Sequence, residues 1–495
     1  MNIDNFMAGL SLILSVKPIL MLIAGLLTGT IVGAIPGLTT TMGMAIFVPV
    51  TFFMPPLIGL PFLLGLYKGG VFGGSVPAIL ISTPGTGAAV ATVIDGYSLA
   101  KKGRARSALQ MAIFASFCGE LFGSLLILFF GATATQLALL FGSAELFAIL
   151  LFSLVIVSLS ATEEYSTGLL SLAAGLVIST VGVDTGGRWR FAFDIPELSA
   201  GLPFIAIMIG LYAFSVVLED SIDILVNHKS RSNDDIHKVE ETDFLQWHEI
   251  KECLPAIGRS SLIGSVIGAI PGVGQPIAAF LGYAQAKKFS KRPELFGHGT
   301  LEGVAGPEAA NNAVNGPALL PLLSFGIPGD VISSVLLGAF VAQGLRPGPR
   351  LFADYGDIMY SLLIAMVIGS FIMLIILYPM TKYMAFITRV PTYLVTSSVF
   401  ILTVIGAYSV NNSWFDVGIM FVFGFIGYVF KKFTIPLAPM VISVMLAQMT
   451  ETNLIRTLIV FGNNWYGIFT RPIVSGFLIA TVIGGFFITR KKKYE

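Results

Sequence analysis

Glu308 is followed by asparagine at 311, 312 and 315 in the string GPEAANNAVNG. Spacings of three, four and seven place all four on one helix face. One carboxylate and three amides so arranged can hold a cation through oxygens and hydrogen-bond a carboxylate through N–H groups. The plain alternative is that the asparagines tie loop backbone together. The string lies in apolar sequence, where an ionisable side chain costs about 3 kcal/mol and is usually paired or functional. Lys68 poses a similar question: it can bind a carboxylate, neutralise Glu308 or Asp330, or snorkel to an interface. Ser82 and Thr83, with Ser75 and Thr86, offer hydroxyls around Pro84-Gly85. Asp330 can carry a proton or cap the helix after Pro328, and capping is the simpler role.

The elements that must position these groups repeat. Residues 29–37 read GTIVGAIPG and residues 264–272 read GSVIGAIPG, 235 positions apart. Further on, GGSVPAILISTPG (73–85) matches PALLPLLSFGIPG (317–329) at a spacing of 244. Each copy breaks at Pro-Gly, because proline removes a backbone donor and glycine frees the turn. In a membrane such breaks survive only where protein or a water-filled cavity satisfies the freed groups. Thr39, Thr40 and Thr41 follow the first break, and Gly274-Gln275-Pro276 follows the second. Helix N-termini at such points attract carboxylates, and unwound carbonyls hold cations. The expected substrate-binding set is Thr39, Thr40, Thr41, Lys68, Ser82, Thr83, Gly85, Asn311, Asn312, Asn315 and Gly329. The expected ion-binding set is Gly37, Gly272, Gly274 and Glu308. No catalytic residue and no metal cluster is expected.

The chain is 55% hydrophobic and 12% charged over 495 residues, where soluble domains carry about 25% charge. Apolar stretches of spanning length recur throughout, so the fold class is an all-α polytopic membrane protein with about 10–12 transmembrane segments. A formal charge of +1 and the lack of a basic soluble patch argue against nucleic acid. Cys118 and Cys253 sit in unlike surroundings and suggest neither a disulfide nor a thiolate site. The N-terminus has Asp4 and no basic residue before Lys17, unlike a cleavable signal peptide.

Unbroken apolar runs fall near 108–131, 136–158, 166–183, 202–220, 358–381, 393–410, 413–430, 434–450 and 470–489. Basic clusters at 101–106, 221–252, 287–292, 431–432 and 490–493, with Lys382 and Arg389, read as cytoplasmic, which puts the C-terminus inside. Residues 253–289 then form a re-entrant hairpin from that side, with 18–54 as its counterpart from the other. Two ordinary short spans per hairpin are the alternative. The first repeat covers 1–220, with its broken helix at 66–100. A polar linker follows at 221–252, and the second repeat covers 253–495, with its broken helix at 303–345. An odd number of crossings in the first half makes the second run upside down, the arrangement of secondary transporters. Asp95 and KKGRAR (101–106) read as a solvated loop. His228, His237 and His248 are too loosely spaced for a metal site.

GAIPG (33–37), YKGGVFGGSVPAILISTPG (67–85), DGYSLAKKGRA (95–105), GAIPGVG (268–274), GVAGPEAANNAVNGPALLPLLSFGIPG (303–329) and GLRPGP (344–349) resemble the large membrane subunit of the tripartite tricarboxylate transporters. The likeness spans most of the first 350 residues, while the last 140 match mainly in hydropathy. It implies a bacterial inner-membrane permease with a small four-helix membrane subunit and a periplasmic solute-binding protein as partners. It also implies a small carboxylate such as citrate as substrate and an ion gradient, commonly sodium, as driving force, with a proton as the alternative. Lys68 and Asp330 depart from the family pattern, which bears on the choice of carboxylate. The sequence leaves open whether the chain forms a homodimer.

Two other classes stand beside a carrier working by alternating access, for which an elevator-like motion is one form. A passive anion channel would share the broken helices, but no filter or sensor sequence is present. A membrane-embedded enzyme needs a nucleophile and base, or a metal cluster, at membrane depth, and the GIPGD string (326–330) has no partner aspartate motif.

Overall fold

Proline and glycine decide where the helices stop. In the computed structural model the described residues are 3–161, 164–184, 186–227, 243–388, 390–462 and 465–491. His228, His237, Arg389 and nearly half of the expected linker lie outside them, as do the last lysines of the C-terminal basic run.

After α1 (Ile3–Ile13), α2 (Val16–Ala34) runs to Pro36-Gly37, where Gly37 adopts φ 95°, a conformation that costs glycine nothing. Thr39 then caps α3 (Thr40–Thr51), its Oγ1 accepting the Met42 N–H at 3.2 Å. Pro56 opens α4 (Pro56–Gly73), where its missing N–H would have had no partner. Next come α5 (Ser75–Ile81), the Pro84-Gly85 break and α6 (Ala89–Lys101). The long α7 (Ala105–Ala138), α8 (Ser143–Ser160) and α9 (Tyr165–Ile178) follow. A two-residue pairing joins β1 (Gly182–Val183) to antiparallel β2 (Trp189–Arg190), inside the last part of a run expected as a span. The first half closes with α10 (Phe204–Met208), a π-type stretch at Ile209–Phe214, and α11 (Ser215–Asn227).

The second half repeats the order. α12 (Trp247–Gly268) begins inside the stretch read as linker and ends at Pro271-Gly272, before α13 (Gly274–Phe289). α14 (Leu301–Ala313), α15 (Leu319–Phe325), the Pro328-Gly329 break and α16 (Val331–Ala342) come next. α16 is capped by Asp330, whose Oδ1 accepts the Ser333 N–H at 2.6 Å while Ser333 Oγ accepts the Asp330 N–H at 2.8 Å. The chain finishes with α17 (Leu351–Asp354), α18 (Gly356–Met380), α19 (Met384–Ile387), α20 (Thr392–Asn411), α21 (Trp414–Lys432), α22 (Leu437–Phe461) and α23 (Pro472–Lys491).

Among the described residues, 8 helical segments are long and apolar enough to cross a membrane, including Pro56–Ile81, Ala105–Ala138 and Gly356–Ile387. The chain is a multi-pass membrane protein. Segments expected as further spans are shorter, as at Tyr165–Ile178 and Pro472–Gly485. Among the candidate spans the segment containing α4 is the most enclosed, with every residue from Gly59 to Gly73 buried.

The repeat is visible in packing as well as in sequence. A methyl on Gly29 would fall 2.2 Å from the Leu66 carbonyl oxygen, and one on Gly264 would fall 2.1 Å from that of Ala310. Gly33 sits in the same way against Gly70, and Gly268 against Val314. The glycines of each pair are 235 residues apart and their partners 244 apart, matching the offsets of the two motifs. Gly85 against Gly74 and Gly329 against Ala318 keep the second offset. Helix meets helix at the same residues in both halves.

Candidate functional site

All four Pro-Gly breaks reach one cavity of about 680 Å³. Gly37 and Thr39–Thr41 come from the first break, Thr86–Ala88 from the second, Gly272–Ile277 from the third, and Asp330–Ile332 from the fourth. These are the starts of α3, α6, α13 and α16, so four helix N-termini with their partial positive charge open toward one space, with Thr39 capping α3 and Asp330 capping α16. Two buried hydroxyls along its wall, Thr40 Oγ1 and Tyr212 OH, have no hydrogen-bond partner. Glu219, Asp220 and Lys431 also line it, with Lys431 Nζ 3.5 Å from Glu219 Oε2. The two breaks of the second half are tied together by the Gly272 N–H donating to the Gly329 oxygen at 2.8 Å.

Beside the cavity runs a buried polar chain. Tyr67 OH donates to Asp330 Oδ2 at 2.8 Å and accepts from Gln275 Nε2 at 3.4 Å. Gln275 Nε2 also donates to Asn315 Oδ1 at 2.7 Å, and Asn315 Nδ2 donates to Glu120 Oε2 at 2.5 Å. Glu120 Oε1 takes the Lys68 ammonium at 2.5 Å, and Lys68 further reaches Ser370 at 3.2 Å and Ser124 at 3.3 Å. Both members of the ion pair are 0% exposed. Lys68 is therefore enclosed between α4, α7 and α18 and does not line the cavity.

Glu308 sits apart in a cage of hydroxyls. Its Oε1 accepts from Ser75 and Thr92 at 2.5 Å each, and its Oε2 accepts from Ser116 at 2.9 Å. Asn312 Nδ2 donates to Ser116 Oγ at 2.8 Å. Asn311 and Asn312 are buried two places and one place before the helix end, also away from the cavity.

Of the expected residues, Gly37, Thr39, Thr40, Thr41, Gly272 and Gly274 line the cavity. Gly85 and Gly329 are one step behind it, in backbone hydrogen bonds. Ser82 and Thr83 are exposed at the end of α5, where Ser82 takes φ 56°. Asn311, Asn312, Asn315, Lys68 and Glu308 form the polar groups behind the wall. Sequence reasoning missed Glu120, although it is the sole charge in the apolar run 108–131 and an intramembrane carboxylate calls for a partner. It also misjudged Asp95, which is 0% exposed. Asp95 Oδ1 accepts the N–H groups of Gly297, Gly299 and Thr300 at 3.0, 2.7 and 3.0 Å, and Oδ2 accepts from Tyr283 OH at 2.9 Å. Far from being a solvated loop residue, it fastens α6 to the segment before α14.

A second cavity of about 570 Å³ lies at the C-terminal end of α16 and beside the middle of α22, lined by Leu337, Val341, Val444 and Met449 together with Arg190, Arg346, Asp184 and Glu451. Arg190 pairs with Glu451 at 2.6 Å. The Arg188 N–H at 2.7 Å holds the Asp184 carboxyl below the usual carboxylate range, against a smaller opposing effect of burial, and the Arg188 guanidinium and Gly186 N–H add to it.

A family model, the tripartite tricarboxylate transporter TctA family, matches residues 19–442. The chain belongs to this family. A protein of Agrobacterium vitis described as an uncharacterized 52.8 kDa protein in the TAR-I ttuC' 3'region is 32% identical over 480 residues, 96% of this chain and 94% of its own length. A second from the same organism, described as an uncharacterized protein in the TAR-II ttuC' 3'region, is 34% identical over 215 residues, 43% of this chain and 89% of its own. No solved structure matches. This member of the TctA family is thus a membrane component of a transporter, as the motifs led one to expect, and the family is one of tripartite systems.

Proposed function

We propose that this TctA-family chain is the permease subunit of a secondary active transporter that imports a small di- or tricarboxylate across the bacterial inner membrane. The carrying observation is the convergence of four helix N-termini on one cavity of about 680 Å³. Backbone N–H groups and helix dipoles suit a multiply charged carboxylate, and Thr40 Oγ1 and Tyr212 OH are free to bond it. The cavity also holds Asp330, Glu219 and Asp220 against Lys431, so an anion is better accepted together with a cation. That supports coupling to a cation gradient, with sodium the first to test and a proton the alternative.

The common packing register of the halves, with a cavity at each end of α16, supports two inverted repeats working by alternating access. Delivery by a solute-binding protein and association with a small membrane subunit are the partners this reading assigns, with the C-terminus in the cytoplasm.

The test is uptake of radiolabelled di- and tricarboxylates into proteoliposomes holding this chain with a solute-binding protein and a small membrane subunit of the same tripartite family. Uptake that needs the binding protein and an inward cation gradient is expected, with Thr40→Val and Thr39→Ala lowering it. Gradient-independent equilibration at channel rates, or indifference to every carboxylate offered, would refute the reading.

A further inference from the structure

We infer that Glu308 is the anchor of a closed site for one monovalent alkali cation, set behind the cavity and separate from it. The inference rests on the permease reading above and gives its coupling ion a place. Glu308 is 0% exposed, and no basic side chain among the described residues pairs with it, since Lys68 is committed to Glu120. A lone ionised carboxylate at that depth is costly without a counter-charge.

Its surroundings are built from oxygen. Ser75 Oγ and Thr92 Oγ1 approach Oε1, and Ser116 Oγ approaches Oε2. Each hydroxyl that donates to the carboxylate keeps lone pairs for a hard cation. The second observation is independent. Asn311 Oδ1 and Nδ2 and Asn312 Oδ1 are fully buried and have no hydrogen-bond partner, in residues 1% and 0% exposed. Native interiors rarely leave such groups unmatched. Asn312 touches the cage through Ser116, and both asparagines stand three and four residues beyond Glu308, on the same side of α14. Unpartnered amide oxygens within about one helical turn of a caged carboxylate are what a cation would complete.

One carboxylate fixes the charge of the guest at +1, because a divalent ion would leave a buried excess. The ligands come from α5, α6, α7 and α14. α5 and α6 flank the Pro84-Gly85 break, so an ion here fastens the start of α6, one of the four helix ends that face the cavity. This gives the ion an energetic hold on the substrate site without touching the substrate.

The experiment is thermal unfolding of the detergent-solubilised full-length chain against sodium chloride, with choline chloride holding ionic strength constant and potassium chloride in a parallel series. A ligand that binds only the folded chain raises the midpoint in a saturable way. We expect sodium to do so for the wild type and Glu308→Gln to abolish the response. Asn311→Ala should raise the half-saturating concentration by about tenfold or more. Asn311→Ala guards against misfolding of the first variant: it removes two unpartnered buried atoms, so a merely structural asparagine predicts a stable protein with an unchanged sodium response. A wild type indifferent to sodium and potassium, an Asn311→Ala response equal to wild type, or a midpoint that follows pH alone would overturn the inference. Because the assay contains no carboxylate, a negative result here leaves the uptake reading standing, and failed uptake leaves this site standing.

Discussion

The Lys68 ammonium lies 2.5 Å from Glu120 Oε1 with both side chains wholly buried, making this a charge pair cut off from water. Its parts cannot be removed one at a time. Lys68→Met strands the Glu120 carboxylate and should destabilise the chain by about 3–5 kcal/mol. The double variant Lys68→Met, Glu120→Met should recover most of that loss, because packed apolar groups can replace a buried pair at little net cost. Denaturant titration of the purified chain in mild detergent measures it. A double variant no more stable than the single one would show that the pair matters for something other than mutual neutralisation.

The equal packing of Gly29 and Gly264 makes a prediction across the halves. An added methyl in either place meets a backbone carbonyl near 2 Å, which only a shift of the whole helix relieves. Gly29→Ala and Gly264→Ala should each cost about 1–3 kcal/mol. Alanine at Gly258, whose Cβ would meet nothing within 4 Å, should be harmless in the same melting assay.

Asp95 makes charge-assisted hydrogen bonds to three backbone N–H groups. Asp95→Asn keeps the shape but removes the charge and turns one of the two acceptor oxygens into a donor, so about 1.5–3 kcal/mol of local stability should go. Hydrogen exchange should then quicken at Gly297, Gly299 and Thr300 while the amides of α18 stay protected. Equal exchange in both proteins would mean that the carboxylate contributes nothing there.

Asp184 gives a pH dependence whose sign follows from its lowered pKa. A group held lower in the folded state stabilises above its unfolded value and loses that stabilisation as pH falls through the folded one. The turn at Asp184–Arg188 should therefore stay ordered at neutral pH and loosen only in acid below the ordinary aspartate range. Asp184→Asn should remove that acid step, as read by limited proteolysis across 182–190 over a pH series.

Much of this was legible in the residues because the signals are local. Pro36-Gly37 and Pro271-Gly272 end helices wherever they occur, and the matching strings told that the halves are built alike. The family's motifs led to the right assignment. The helical spacing of Glu308 and Asn312 put them on one face, but spacing could not say which element faces it. Ser116 of α7 and Thr92 of α6 complete the Glu308 cage from 192 and 216 residues away in sequence, and no local pattern encodes such meetings. Lys68 was open to three readings for the same reason: its partner Glu120 lies 52 residues on. Asp95 looked solvated because it precedes a basic run, and only the folded chain brings the 297–300 backbone over it.

The hydrogen bond from Gly272 to the Gly329 oxygen joins the tip of α12–α13 to the threshold of α16, and Asp330, the next residue, grips Tyr67 of α4. Three segments remote in the chain thus share one pin. A displacement of the tip would reach the threshold and Tyr67 through these two bonds, so this corner of the protein is tied at one point and does not consist of three separate loops.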